Sequence, residues 1–228
     1  DLSFLSKPAT FVGQGANDLK AYNIAQESNG NISYHIDIDD LTYNIKLSIP
    51  GVHNVYNSLF AVYAGLLYEI PIEDIQAALS EFRPGSMRLN VFKGILDTTV
   101  IDDCYNANPN SMRAAIETLK DLEAGRKLAI LGDMLELGSY SEDAHRDIGK
   151  WIIGCGIDIL ITKGQHSKYI GMEAGNQGMK QENIYHFDSN MEVVDFLKKF
   201  LKKDDTILVK GSRGMQMEEI VSYLDERR

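Results

Sequence analysis

The sequence predicts an α/β protein: a mostly parallel sheet covered by helices on both faces, preceded by a smaller β-rich part that ends in two helices. Three observations predict it. From Arg88 onward, short apolar runs alternate with amphipathic helical stretches. Before that, residues 10–49 read as β, with apolar and polar positions alternating at a period of two. Between the two, Arg83-Pro84-Gly85-Ser86 breaks both rhythms, which places a domain boundary there and divides the chain into residues 1–84 and 85–228.

In the first part, Tyr34, Ile36 and Ile38 alternate with polar neighbours, and so do Tyr43, Ile45, Leu47 and Ile49. Asp39-Asp40 between them suits a hairpin turn, and Pro50-Gly51 ends the β region. Val55, Leu59, Val62 and Leu66 then hold helical spacing over about His53 to Tyr68. A second helix starts with Pro71 in its first turn and sets Ile72, Ile75, Leu79 and Phe82 on one face.

In the second part the expected strands are Thr99–Ile101, Leu128–Leu131, Ile157–Ile161 and Ile207–Val209. The expected helices carry the stripes Met112/Ala115/Ile116/Leu119/Leu122, Ala144/Ile148/Trp151/Ile152, Val193/Leu197/Phe200/Leu201 and Met217/Ile220/Val221/Leu224. Asn108-Pro109 reads as an N-cap followed by proline at the first helical position. Ser139 with Glu142, and Ser189 with Glu192, have capping-box spacing.

Composition narrows the function classes. A net charge of −10 repels phosphate backbones and anionic membranes, which speaks against nucleic-acid binding while leaving room for a local nucleotide site. The two cysteines, Cys104 and Cys155, form no CxxC pair, so a disulfide framework or structural zinc is not expected and a reducing cytosol is. No apolar run has the length of a membrane span. Asp1-Leu2-Ser3-Phe4 shows neither an initiator Met nor a leader, which suits a processed chain and reads more easily as the start of a piece cut from a longer one.

Ligands of open α/β sheets bind beyond the carboxyl ends of the strands, so three strand-end segments become candidates. They are Asp102 to Pro109, Gly132 to Gly138 and Lys210 to Met215. Asp102 and Asp103 suit a ribose hydroxyl, a metal or an ammonium, and equally suit helix capping and turn positions. Lys210-Gly211-Ser212-Arg213-Gly214 resembles an anion cradle, although a tight strand-to-helix turn with solvated basic side chains has the same residues. His53, Asn54 and Asn57 share one face of a helix start, where amides can read a base edge or simply supply local polarity. His145 reads as a packed histidine beside an apolar stripe, and His35, His166 and His186 have no metal-ligand spacing. Arg88, just past the break, suits a phosphate contact or a surface ion pair. A GxxxxGK[ST] phosphate loop occurs nowhere in the 228 residues.

Four stretches in order resemble the Mur ligase family, over nearly the whole chain. Pro50 to Leu59 is similar to its G-x-H-N-x-x-N-A helix start, and Met87-Arg88 to its turn into the last domain. Asp102 to Met112 resembles D-x-Y-N-A-N-P-x-S-M, the form found in the branch that adds D-Ala-D-Ala. Leu131 to Gly138 with His145, and Val209 to Glu218, resemble that branch too. The resemblance implies a Rossmann-like closing domain over residues 85–228 and an incomplete remnant of the central ATP-binding domain over 1–84. It implies a cytoplasmic, monomeric parent enzyme of peptidoglycan synthesis that uses ATP and Mg2+ to join D-Ala-D-Ala to UDP-MurNAc-tripeptide. This chain, without the phosphate loop, is then expected to be inactive alone, to hold no metal and to bind no ATP tightly.

By the same resemblance, His53, Asn54, Asn57, Arg88, Asp103, Tyr105 and Asn106 face ATP. Asp133 and Ser212 face the peptide substrate, and Arg88 and Lys210 act in catalysis. Two rivals stand beside this reading: another ligase of the same architecture, such as a folylpolyglutamate synthetase, and a stand-alone nucleotide-binding module.

Overall fold

The computed structural model describes residues 9–11, 19–27, 31–83, 85, 87–122 and 125–226, arranged as two compact units divided between Pro84 and Gly85. The chain start at Asp1 and half of the break segment, Pro84 and Ser86, lie outside the described residues, as do 12–18 and 28–30 of the expected β region.

The first unit is an antiparallel meander of β1 (Ala9–Phe11), β2 (Leu19–Gln26), β3 (Ile32–Ile38) and β4 (Leu41–Leu47), in that spatial order, with β1 and β4 as its edges among the described residues. Tyr34 opposes Ile45 and Ile36 opposes Tyr43 across the β3–β4 hairpin. Asp39 (φ 49°) and Asp40 (φ 64°) both take left-handed backbone, as a two-residue hairpin turn whose twist matches its strands requires. Helices α1 (His53–Leu67) and α2 (Ile72–Glu81) pack on this sheet. Pro71 stands one residue before α2, at its N-cap, with extended ψ of 138°. Tyr34, Ile36 and Ile45 meet Val55, Leu59 and Val62 in the core. The Tyr34 hydroxyl keeps a partner there, Ser58 Oγ at 2.7 Å, and burial pushes its pKa up to about 12.

The second unit holds a six-stranded sheet. Its strands are β5 (Asn90–Lys93), β6 (Thr99–Asp103), β7 (Lys127–Gly132), β8 (Ile159–Lys163), β9 (Ile184–Phe187) and β10 (Thr206–Lys210). Their order in space is β5-β6-β10-β7-β8-β9, parallel throughout except for the antiparallel edge strand β5. Helices α3 (Pro109–Asp121), α4 (Ser141–Ile153) and α5 (Lys168–Asn176) bury one face, through Met112, Ile116, Ile148 and Ile170 against Ile101, Leu131 and Leu208. Helices α6 (Asn190–Phe200) and α7 (Glu218–Leu224) bury the other, through Leu197 and Ile220 against Val100, Ile130 and Val209. Consecutive residues of β10 thus enter opposite cores, the reason this strand reads as an unbroken apolar run.

Three elements go beyond the expectation. β5 and β9 are four-residue edge strands, and α5 has a broken stripe of Ile170, Gly171 and Ala174. Both capping signals at Asn108 and Ser189 form, each with reciprocal hydrogen bonds to the residue three positions on. The Ser139/Glu142 box does not form. Gly138–Tyr140 is already a turn of 3-10 helix, α4 begins after it, and Glu142 instead pairs with Arg146 at 2.7 Å.

Candidate functional site

The parallel register sets Lys210 directly beside Asp103, and the carboxyl ends of β6, β10, β7 and β8 make one edge. Lys210, only 1% exposed, sends its ammonium to Asp103 Oδ2 at 2.5 Å and to the Asn106 carbonyl at 2.9 Å. The aspartate therefore does bind an ammonium, one from its own chain. The other carboxylate oxygen of Asp103 accepts the Leu89 N–H at 3.1 Å. One side chain thereby joins the turn before β5 to the end of β10. The Tyr105 N–H donates to the Met87 carbonyl at 3.0 Å, a second tie to the same turn. Above this frame the exposed Arg88 guanidinium lies over the Tyr105 ring, 4.2 Å from its centroid. The Asn106 side chain folds back onto the Ala107 N–H at 2.8 Å.

The glycine-containing turn after β10 proves to be engaged internally. The Ser212 N–H donates to the Asp133 carbonyl, and the Met215 and Gln216 N–H groups donate to Ser212 and Arg213. Gly211 is needed for protein packing, since a Cβ there would stand 2.9 Å from Met217 Cγ. Arg213 pairs with Glu218 at 3.2 Å. Residues 210–214 thus form a tight strand-to-helix turn in which the Ser212 N–H and the Lys210 and Arg213 side chains have partners within the protein. Lys210, expected among the catalytic charges, has its ammonium held by Asp103 and by backbone.

Asp133 and Ser212 were expected on the substrate side, and both are buried with internal partners. Asp133 accepts the backbone N–H groups of Gln165, His166 and Ser167 at 3.0, 3.0 and 2.7 Å, so it holds the loop between β8 and α5. Gly164 at φ +122° is required there, because a Cβ would fall 2.5 Å from Asp133 Oδ1. Ser212 Oγ accepts the Leu135 N–H at 2.9 Å. His145 is fully buried: its Nε2 accepts the Met134 N–H at 2.9 Å and its Nδ1–H donates to the Ser141 carbonyl at 2.6 Å. Burial lowers its pKa and keeps it neutral.

Asp102 is buried beside Asp103. Burial raises its pKa, and its Oδ1 accepts the Cys104 thiol at 2.8 Å. Burial likewise raises the pKa of Cys104, so this is a packed, protonated thiol. Lys163 closes the same edge, donating to the Met215 carbonyl at 3.2 Å. Sequence reasoning missed it, although the Lys163-Gly164 step at a strand end carried the same signal as Lys210-Gly211. In the first unit, Asn54 is buried and donates to the Pro50 carbonyl at 2.7 Å, while its oxygen accepts the exposed Asn57 amide at 3.1 Å. His53 opens α1 alongside them.

The family profile described as "Mur ligase, glutamate ligase domain" matches residues 87–213, more than half of the chain and the span that runs from the Arg88 turn to the turn after β10. The chain belongs to the Mur ligase family. Among curated Mur ligases, the UDP-N-acetylmuramoyl-tripeptide--D-alanyl-D-alanine ligase of Bacillus subtilis is 35% identical over 92% of this chain and 45% of its own length. The Escherichia coli protein of the same name is 31% identical over the same shares. The chain therefore spans about half the length of these relatives. Among solved structures, MurF from Acinetobacter baumannii superposes with a TM-score of 0.79 at 28% identity, covering 92% of this chain and 45% of that one. The MurF ligase of Thermotoga maritima, described in complex with ADP, shares the fold with a TM-score of 0.75 at 21% identity.

Proposed function

We propose that this chain is part of a cytoplasmic, monomeric, ATP-dependent amide ligase that adds D-Ala-D-Ala to UDP-MurNAc-tripeptide, and that residues 85–228 supply one wall of its active site. The observation that carries the reading is the convergence of Arg88, Asp103, Tyr105, Asn106 and Lys210, all from family motifs, on one sheet edge. The choice of D-Ala-D-Ala rests on the names of the relatives above and on the Tyr105-Asn106-Ala107-Asn108-Pro109 stretch.

In the ligation, the tripeptide carboxylate takes the γ-phosphoryl group of ATP. The D-Ala-D-Ala amine then attacks the acyl phosphate through a tetrahedral intermediate, and phosphate leaves. Charge on the transferring group must be neutralised and water kept from the acyl phosphate. Arg88 is the group of this wall that meets phosphate. Asp103 and Lys210 hold its supporting turn and the Tyr105-Asn106 loop. Asp133 and Ser212 fix the backbone on the substrate side. In residues 1–84, His53, Asn54 and Asn57 stand toward adenine or ribose, with Asn54 setting the position of the exposed Asn57. The parent ligase would use Mg2+ together with the ATP phosphates.

The test is phosphate release from ATP by the full-length gene product with UDP-MurNAc-tripeptide, with and without D-Ala-D-Ala. Release that requires both, and that the 228-residue chain alone does not perform, is expected. Release driven by a different acceptor, such as a free amino acid, would overturn the reading and point to another amide ligase of this architecture.

A further inference from the structure

Three basic side chains gather where β6, β10 and the turn before β5 meet, and they differ in one respect. Lys210 is buried against Asp103, and Arg213 pairs with Glu218 at 3.2 Å. Arg88, exposed, has no carboxylate partner among the described residues and rests on the Tyr105 ring. A guanidinium lying over a ring keeps its N–H groups at the periphery, pointing away from the π face. The 4.2 Å separation of Arg88 Cζ from the Tyr105 centroid is the distance of such a stack.

The backbone around it is held in an unusual shape. Met87 (φ 66°) and Leu89 (φ 45°) both take left-handed conformations that non-glycine residues seldom adopt. Such a shape persists only where its surroundings over-determine it. Here the Met87 carbonyl accepts from Tyr105 N–H, and the Leu89 N–H donates to Asp103. The same residue that fixes the turn through its backbone, Tyr105, supports the Arg88 side chain through its ring.

We propose that Tyr105 is the positioning residue of a polyphosphate site, in which its ring presents the Arg88 guanidinium edge to the anion. The inference deepens the ligase reading, on which it rests for the identity of the physiological polyphosphate. The phenol hydroxyl has no part in it, so phenylalanine serves equally well and an aliphatic side chain does not.

The test uses the 228-residue chain labelled with nitrogen-15, with inorganic tripolyphosphate as the probe. The Arg88 Nε–Hε resonance is assigned by its loss in Arg88→Ala and followed through the titration. In the free wild-type chain the ring should shift the Arg88 Hδ and Hε protons upfield. Tripolyphosphate should move the Nε–Hε resonance, Tyr105→Phe should keep the wild-type affinity, and Tyr105→Leu should weaken it about three- to fivefold. Arg88 protons at unshifted positions in the wild type would overturn the proposal whatever the variants do. So would a resonance that tripolyphosphate leaves unmoved, equal affinity in Tyr105→Leu, or a loss in Tyr105→Phe as large as in Tyr105→Leu. None of these readouts needs ligation, so the outcome of the D-Ala-D-Ala assay is decided separately.

Discussion

Lys210 and His145 show how one buried group organises a sheet edge. Lys210→Met removes the partner of Asp103, which is itself largely buried, and should cost about 3 kcal/mol of stability, measured by urea unfolding. His145 makes a pH-dependent contribution of definite sign. Burial depresses its folded pKa below the unfolded value of about 6.5. Its contribution is therefore complete above about pH 6.5 and is lost as pH falls through the lower folded value. Unfolding curves at several pH values should show a shallower acid loss for His145→Gln than for the parent chain, though from a lower starting stability. How legible these residues were follows from chain distance. Asp103, Tyr105 and Asn106 lie in one short motif and could be read there. The Lys210–Asp103 contact spans 107 positions and follows from the parallel pairing of two strands, which no local pattern contains. The buried ends of Asp133 and Ser212 were hidden for the same reason, since their partners come from other loops.

At the level of elements, strong periodicity and cap chemistry were readable, and weak edges were not. The Asn108 cap of α3 is reciprocal, with Ser111 N–H donating to Asn108 Oδ1 at 2.9 Å and Asn108 N–H to Ser111 Oγ at 3.0 Å. Asn108→Ala should lower the stability of the second unit by about 1 kcal/mol, read from its thermal transition, with the fold retained. The Asp39-Asp40 turn was likewise legible because left-handed backbone favours such residues. β5 and β9 escaped notice because four residues on a sheet edge have few buried positions to set a period. α5 escaped because Gly171 sits where Ile184 packs close, 3.0 Å from a Cβ placed there, so space rather than apolarity was the requirement. The Ser139/Glu142 spacing misled because a 3-10 turn already occupied the cap position.

On the scale of the whole molecule, the two units have separate cores, one built on Tyr34, Ile45 and Leu59 and the other on the two faces of the six-stranded sheet. Residues 85–228 expressed alone should therefore fold, with a single cooperative unfolding transition and an amide spectrum that overlays the second unit's signals in the longer chain. Loss of dispersion in that spectrum would show that the unit depends on residues 1–84. The sheet order also bears on synthesis. β10 lies between β6 and β7, yet it is the last strand of the six in the chain. As the polypeptide leaves the ribosome, β6 and β7 must wait, with their facing edges unpaired, until about 100 further residues have followed β6. The Lys210 contact and the central strand arrive together. A nascent or truncated chain that stops short of it is left with two exposed sheet halves, and is a natural substrate for chaperones and proteases.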